Sequence, residues 1–125
     1  MKIIRCSGDY SDQVSPFLKG KYDLAIFTFE MFLSVAVSCP HVLNQIGLIV
    51  LDEAQFITDP TRGISVELIL TYLLSARKRD IAPQVVALSA VIGDINGFDK
   101  WQDLKVLSTT NRPVPLVEGV LDRNG

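Results

Sequence analysis

Two adjacent carboxylates, Asp52 and Glu53, follow directly on the run Ile46-Gly47-Leu48-Ile49-Val50-Leu51, the sharpest change of character in the chain. A carboxylate that closes a buried strand is held rigidly while staying open to water. That placement suits Mg²⁺, which takes one or two protein carboxylates and completes its octahedral shell with water and substrate phosphate oxygens. In such a site Asp52 holds the ion, through water, and Glu53 polarises the water that attacks a terminal phosphate. Acidic pairs after strands are common, so the same two residues also fit plain solvated acids.

Other positions could meet a phosphate. Thr28 stands where an N-cap belongs ahead of Phe29, and a helix N-terminus favours an anion; the position equally suits simple capping. Arg62, in the loop Thr58-Asp59-Pro60-Thr61-Arg62-Gly63, fits a backbone contact or a solvated loop residue. The cluster Arg77-Lys78-Arg79 is read as solvated cations complementing a helix C-terminus. His41, after Pro40, has no carboxylate or cysteine spacing around it and reads as a surface residue. Cys6 and Cys39 show no C-x-x-C spacing, which argues against a zinc site or disulfide framework and for a reducing compartment.

The elements that must position these groups follow from periodicity. Apolar runs at Lys2–Cys6, Tyr22–Thr28, Ile46–Leu51, Gln84–Leu88 and Leu104–Leu107 predict strands, the longer ones covered on both faces. Helical spacing is expected over Asp12–Leu18, limited by Pro16, and over Phe29–Val37, with Phe29, Phe32, Leu33 and Val37 in one stripe. Ile64–Arg79 reads as the longest helix and Asp94–Trp101 as a short one. Arg112-Pro113-Val114-Pro115 must be extended. The alternating order predicts an α/β fold, a three-layer parallel sheet with helices on both faces. Its chemistry would gather at the carboxyl ends of the strands, after Cys6, Phe27, Leu51 and Leu88.

Composition bounds the answer. A chain of 125 residues, 48% hydrophobic and 21% charged, holds one domain. Scaling predicts roughly 6,600 Å² of folded surface against roughly 20,000 Å² unfolded, enough burial for a core without staples. A net charge of -2 excludes a binder working through bulk positive charge, so any nucleic-acid contact must be local. No apolar run has signal-peptide length. The greasiest window, Leu24 to Cys39, is short for a span and carries Glu30, so a cytoplasmic protein with no membrane partner is expected.

Taken together, Leu48-Ile49-Val50-Leu51-Asp52-Glu53-Ala54-Gln55 resembles the Walker B, or DExH/DEAD, box of superfamily 2 helicases. Thr28-Phe29-Glu30 looks like their T-x-E nucleic-acid motif, and Ser89-Ala90-Val91 like their S-A-T motif. Arg62-Gly63 with Val66-Glu67, Leu88 to Gly93, Trp101 and Arg112 to Leu116 resemble the branch of the superkiller-like RNA helicases and archaeal repair helicases. The similarity runs in order over nearly the whole chain. It implies ATP and Mg²⁺ as cofactors, with Asp52 on the metal, Asp52, Glu53 and Gln55 at the nucleotide, and Asp52 and Glu53 catalytic. Ser89 and Ala90 would couple nucleotide to strand separation, and Thr28, Glu30 and Arg62 would meet DNA or RNA.

Two residues depart from the family pattern. Gln55 stands where most of the branch has histidine; it still donates and accepts hydrogen bonds but does not titrate. Val91 replaces the usual threonine with nearly the same shape and no hydroxyl, which costs the coupling motif a hydrogen bond.

The sequence contains no G-x-x-x-x-G-K-[ST], the loop whose backbone N–H groups and lysine cradle phosphates. The resemblance therefore implies an incomplete RecA-like (P-loop NTPase) domain. Residues 1–111 would be the latter part of the first RecA-like domain, without Walker A, and 112–125 would lead toward a second RecA-like domain outside this chain. The expected function is a fragment of an ATP-dependent helicase, catalytically silent alone. The alternative is a non-catalytic interaction module derived from a truncated motor.

Overall fold

The computed structural model describes residues 1–81, 83–90, 97–109, 111 and 114. Two units divide the chain, Met1–Val91 and Ile92–Gly125. In the first, β1 (Ile3–Cys6) leads through a 3₁₀ segment (Gly8–Gln13) and α1 (Val14–Leu18) to β2 (Leu24–Phe27). Then come α2 (Phe29–Ser38), a 3₁₀ segment (Pro40–Gln45), β3 (Leu48–Leu51), a 3₁₀ turn (Ala54–Thr58), α3 (Gly63–Arg77) and β4 (Gln84–Ala87). Strands pair as two parallel ladders, β1 with β2 and β3 with β4. Ile3 lies opposite Leu24 and Cys6 opposite Phe27; Leu48 lies opposite Gln84 and Leu51 opposite Ala87. A parallel neighbour cannot be reached by a hairpin, so a helical crossover stands inside each pair.

Each pair has its own reason to fold. The inward residues of β1, Ile4 and Cys6, join Phe17, Val35 and Val42 in one core. Phe17 stacks on Tyr22 with centroids 5.0 Å apart and meets Phe27 edge-on at 4.7 Å; Phe27 in turn meets Phe32 at 5.7 Å. These are the offset and edge geometries that aromatic quadrupoles favour. Burial pushes the Cys6 thiol up, with the Asp12 charge adding to it, so Cys6 packs as a protonated apolar group. On α3, Val66, Ile69, Leu70, Leu73 and Ala76 are buried, a single stripe at helical spacing. The Tyr72 hydroxyl donates to the Ala36 carbonyl at 2.9 Å, which satisfies an orphan carbonyl in the last turn of α2.

The structure changes four expectations. Strands expected to be covered on both faces are covered on one. Ile3, Leu24, Ile26, Leu48 and Val50 are between 46% and 53% exposed, alternating with inward neighbours. The apolar stripe of α2 is also rotated: Val35 and Ala36 are buried while Val37 is 59% exposed. The segment before α1 starts in 3₁₀ turns and is kinked at Tyr10, so only five residues are α-helical. Finally, residues 104–107, expected as a strand, form none, and Leu107 is 90% exposed. Leu104-Lys105-Val106-Leu107 has strand-like composition, but composition alone fixes no ladder without a neighbour to pair with.

In the second unit α4 spans Phe98–Gln102, entered through Gly97 and left through Asp103, both left-handed. Residues 94–96 of the expected helix, Val91, and 112, 113 and 115–125 of the C-terminal segment lie outside the described residues. Among the described residues no helix is long and apolar enough to cross a membrane.

Candidate functional site

The candidate site is built at the carboxyl end of β3. Leu51, 5% exposed, is the last inward residue; Asp52 and Glu53 leave the strand and are both exposed. The chain then reverses sharply. Glu53 has φ 55° and ψ 43°, a left-handed conformation that costs a non-glycine residue roughly 1–2 kcal/mol. Surrounding contacts hold it there. The Glu53 N–H donates to Asp52 Oδ1 at 2.9 Å, and the Glu53 carbonyl accepts from the Phe56 N–H at 2.9 Å. The Ala54 N–H donates to the Leu88 carbonyl at 2.8 Å, and the Leu88 N–H to the Leu51 carbonyl at 2.8 Å. The parallel ladder thus continues past β4 and brings Ser89 and Ala90, both exposed, beside the acidic turn.

Gln55 Nε2 donates to Glu53 Oε2, so the residue in the fourth box position orients the second acid. Its other side-chain atom, Oε1, is buried with no hydrogen-bond partner. An acceptor left so is a costly feature that a ligand donor or water would relieve. Among the described residues no group of three or more His, Cys, Asp or Glu side chains could cage a metal. The donor set is two adjoining exposed carboxylates, and it fits a hard cation of the Mg²⁺ type that keeps waters and phosphate oxygens as its other ligands.

The 3₁₀ turn carries the acids toward Arg62. The Phe56 carbonyl accepts from the Asp59 N–H at 2.8 Å, and Asp59 Oδ1 accepts from the N–H groups of Thr61 and Arg62, each at 2.8 Å. The Gly63 N–H donates to the Asp59 carbonyl at 2.8 Å and opens α3. At Gly63 an added Cβ would lie 2.5 Å from the Ile57 carbonyl oxygen and 3.2 Å from that of Phe56. Only glycine lets the helix start this close to the turn.

The backbone N–H groups of Arg62 and Thr61 hold the Asp59 carboxyl below its ordinary value of 3.8, with the Arg62 charge contributing. A depressed carboxylate stabilises the fold above its unfolded value and stops doing so as pH falls through the folded one. Replacing Asp59 with Asn should therefore lower the thermal midpoint at neutral pH. The gap to the parent chain should close as pH drops below 3.8, which melting curves followed by circular dichroism would check.

Thr28 and Glu30 stand at the carboxyl end of the other pair. Thr28 is the N-cap of α2, its Oγ1 accepting the Met31 N–H at 3.4 Å, and its N–H reaches the Cys6 carbonyl at 3.4 Å. Accepting through oxygen leaves the hydroxyl proton to donate. Glu30 is exposed in the first turn. Asp52, Glu53 and Gln55 thus stand at the end of β3, Ser89 and Ala90 follow Leu88 on the paired strand, and Arg62 closes the turn before α3, while Thr28 and Glu30 belong to β1–β2.

Sequence reasoning passed over Phe56 and Asp59. An Asp four residues before a helix start, followed by Pro, was the available signal for Asp59. Nothing local to Phe56 marks it.

The family model described as DEAD/DEAH box helicase matches residues 1–96. The ATP-dependent DNA helicase Hel308 of Thermoplasma acidophilum is 35% identical over 124 residues, 99% of this chain and 18% of that protein. Its counterpart in Thermoplasma volcanium is 32% identical over the same share of each. That of Thermococcus kodakarensis is 32% identical over 120 residues, 96% of this chain and 10% of that protein. The chain thus spans less than a fifth of the length of these curated relatives.

Proposed function

Because the chain belongs to the DEAD/DEAH box helicase family, we propose that it is part of the first RecA-like motor domain of an ATP-dependent DNA helicase of the Hel308 type. In this reading it carries the nucleotide-facing carboxylates and lacks the phosphate-binding loop. The observation that carries it is the acidic turn at Asp52–Glu53, tied to Leu88 and its following Ser89 by the Ala54 N–H at the mouth of a parallel pair. The complete domain would then be a three-layer sheet, with further helices lying over the open rows of β1–β4, and the protein would work in the cytoplasm.

Asp52 would hold Mg²⁺, whose charge offsets that of the phosphates when bound. Glu53 orients the attacking water and accepts its proton at a carboxylate oxygen, and Gln55 holds Glu53 through its amide. Ser89 and Ala90, which follow Leu88, would couple that turn to strand separation. Thr28 donates its hydroxyl proton to a backbone phosphate at the start of α2, Arg62 supplies a cation, and Glu30 sits beside Thr28.

ATP turnover measured with single-stranded DNA and RNA tests this. The chain alone should hydrolyse none above background. The same residues placed behind a glycine-rich lysine loop and followed by a second RecA-like domain should show turnover stimulated by DNA. Hydrolysis by the isolated chain would overturn its silence, and no stimulation in the completed motor would overturn the motor reading.

A second reading, a docking module without catalysis, is favoured by one observation: the half-exposed apolar rows of Ile3, Leu24 and Ile26 and of Leu48 and Val50.

A further inference from the structure

The turn between the acids and α3 closes on itself through residues three apart. The Glu53 carbonyl takes the Phe56 N–H at 2.9 Å, the Phe56 carbonyl takes the Asp59 N–H at 2.8 Å, and Asp59 Oδ1 takes the Arg62 N–H at 2.8 Å. The Arg62 guanidinium then returns over the Phe56 ring, 5.2 Å from its centroid. Backbone and side chain thus fix both ends of Arg62, although the residue is exposed. A free arginine must give up much rotamer freedom to meet a phosphate, and one already resting on an aromatic face gives up less. Guanidinium stacking leaves the N–H edge free to donate, because the ring takes the face and a phosphate takes the edge.

We propose that Phe56 is a positioning residue for nucleic-acid binding. Its ring holds the Arg62 guanidinium at the carboxyl end of β3, ready for the sugar–phosphate backbone of single-stranded DNA. The inference rests on the reading of Arg62 as a backbone contact. It adds a direct covalent and hydrogen-bonded path, six residues long in spacing from Phe56 to Arg62 and three from Glu53 to Phe56, between the water-orienting acid and the strand being moved. Phosphate contact would pull Arg62 against the ring and brace the turn that carries Glu53.

The test is fluorescence anisotropy of the full 125-residue chain with a labelled single-stranded oligothymidylate across a salt series. Arg62→Gln should weaken binding and reduce the slope of log K against log salt by about 0.7, one phosphate contact on a single strand. Phe56→Leu, which keeps an apolar side chain but removes the ring, should weaken binding about two- to fivefold, the weight of an exposed cation–π contact. Phe56→Trp should restore it. In an Arg62→Gln background, Phe56→Leu should cost nothing further.

Full binding by Phe56→Leu beside a weakened Arg62→Gln overturns the positioning role and leaves the nucleic-acid reading standing. An equal loss from Phe56→Leu with and without Arg62 overturns it too, since the ring would then act on the fold and not on the arginine. Unchanged binding by Arg62→Gln overturns the reading of Arg62 itself, and the inference falls with it.

Discussion

Replacing Glu53 with glutamine in the completed motor should lower ATP turnover by about 10²–10⁴-fold, the usual contribution of a positioned general base. Glutamine keeps the size and hydrogen-bonding reach of glutamate but accepts no proton near neutral pH. Asp52 is untouched, so nucleotide affinity measured in the presence of Mg²⁺ should stay close to that of the parent. The left-handed backbone at residue 53 is held by main-chain contacts that a glutamine preserves: the Phe56 N–H to its carbonyl, and its own N–H to Asp52 Oδ1. A loss of turnover together with a loss of nucleotide binding would point to collapse of the turn. Turnover near the parent level would remove Glu53 from the chemistry.

Gly63→Ala should have the largest effect on stability among substitutions around the site. Alanine is the better helix former by up to about 1 kcal/mol, so propensity alone predicts a gain. Packing predicts the opposite and wins. The new methyl would sit 2.5 Å from a backbone oxygen, that of Ile57, with the Ile57 carbonyl carbon at 3.1 Å. Neither atom is the far end of a side chain that could swing aside. Forcing the start of α3 away from the turn costs about 2–3 kcal/mol in strain and lost contacts, at the upper end of overpacking because the clash is with backbone, leaving a net destabilisation of about 1–2 kcal/mol. Urea or thermal unfolding would read it as a fall in midpoint of roughly 5 °C. The same shift would carry Arg62 off Phe56, so oligothymidylate binding should fall with it. A more stable Gly63→Ala chain would show that the close approach between helix and turn carries no weight.

Much of the architecture was legible because apolar runs and their punctuation are local. Four of the five expected runs, Lys2–Cys6, Tyr22–Thr28, Ile46–Leu51 and Gln84–Leu88, contain the strands, and the acidic turn stands at the carboxyl end of the third. The number of covered faces was not legible. Leu48-Ile49-Val50-Leu51 is apolar on both sides, which periodicity reads as a strand wrapped on both sides, but the chain's own helices bury only one side of it. The rotation of α2 has the same origin: Val35, Ala36 and Val37 are all apolar, and their order around the helix is decided by what α2 packs against, including the contact from Tyr72. At the site, the acids announced themselves by an abrupt change of polarity. Arg62 was legible as a loop cation that could meet a backbone phosphate, but Asp59 and Phe56, which fix it, act through contacts that no spacing rule contains.

The half-open sheets have a consequence for anyone who handles the molecule. A native state that already presents rows of isoleucine, leucine and valine to water will light up an apolar dye such as ANS before anything has melted. Dye-based melting curves would then begin from a high baseline and mistake the folded chain for a loosened one. Far-ultraviolet ellipticity, which follows the backbone of α2 and α3, reports the cooperative event without that bias.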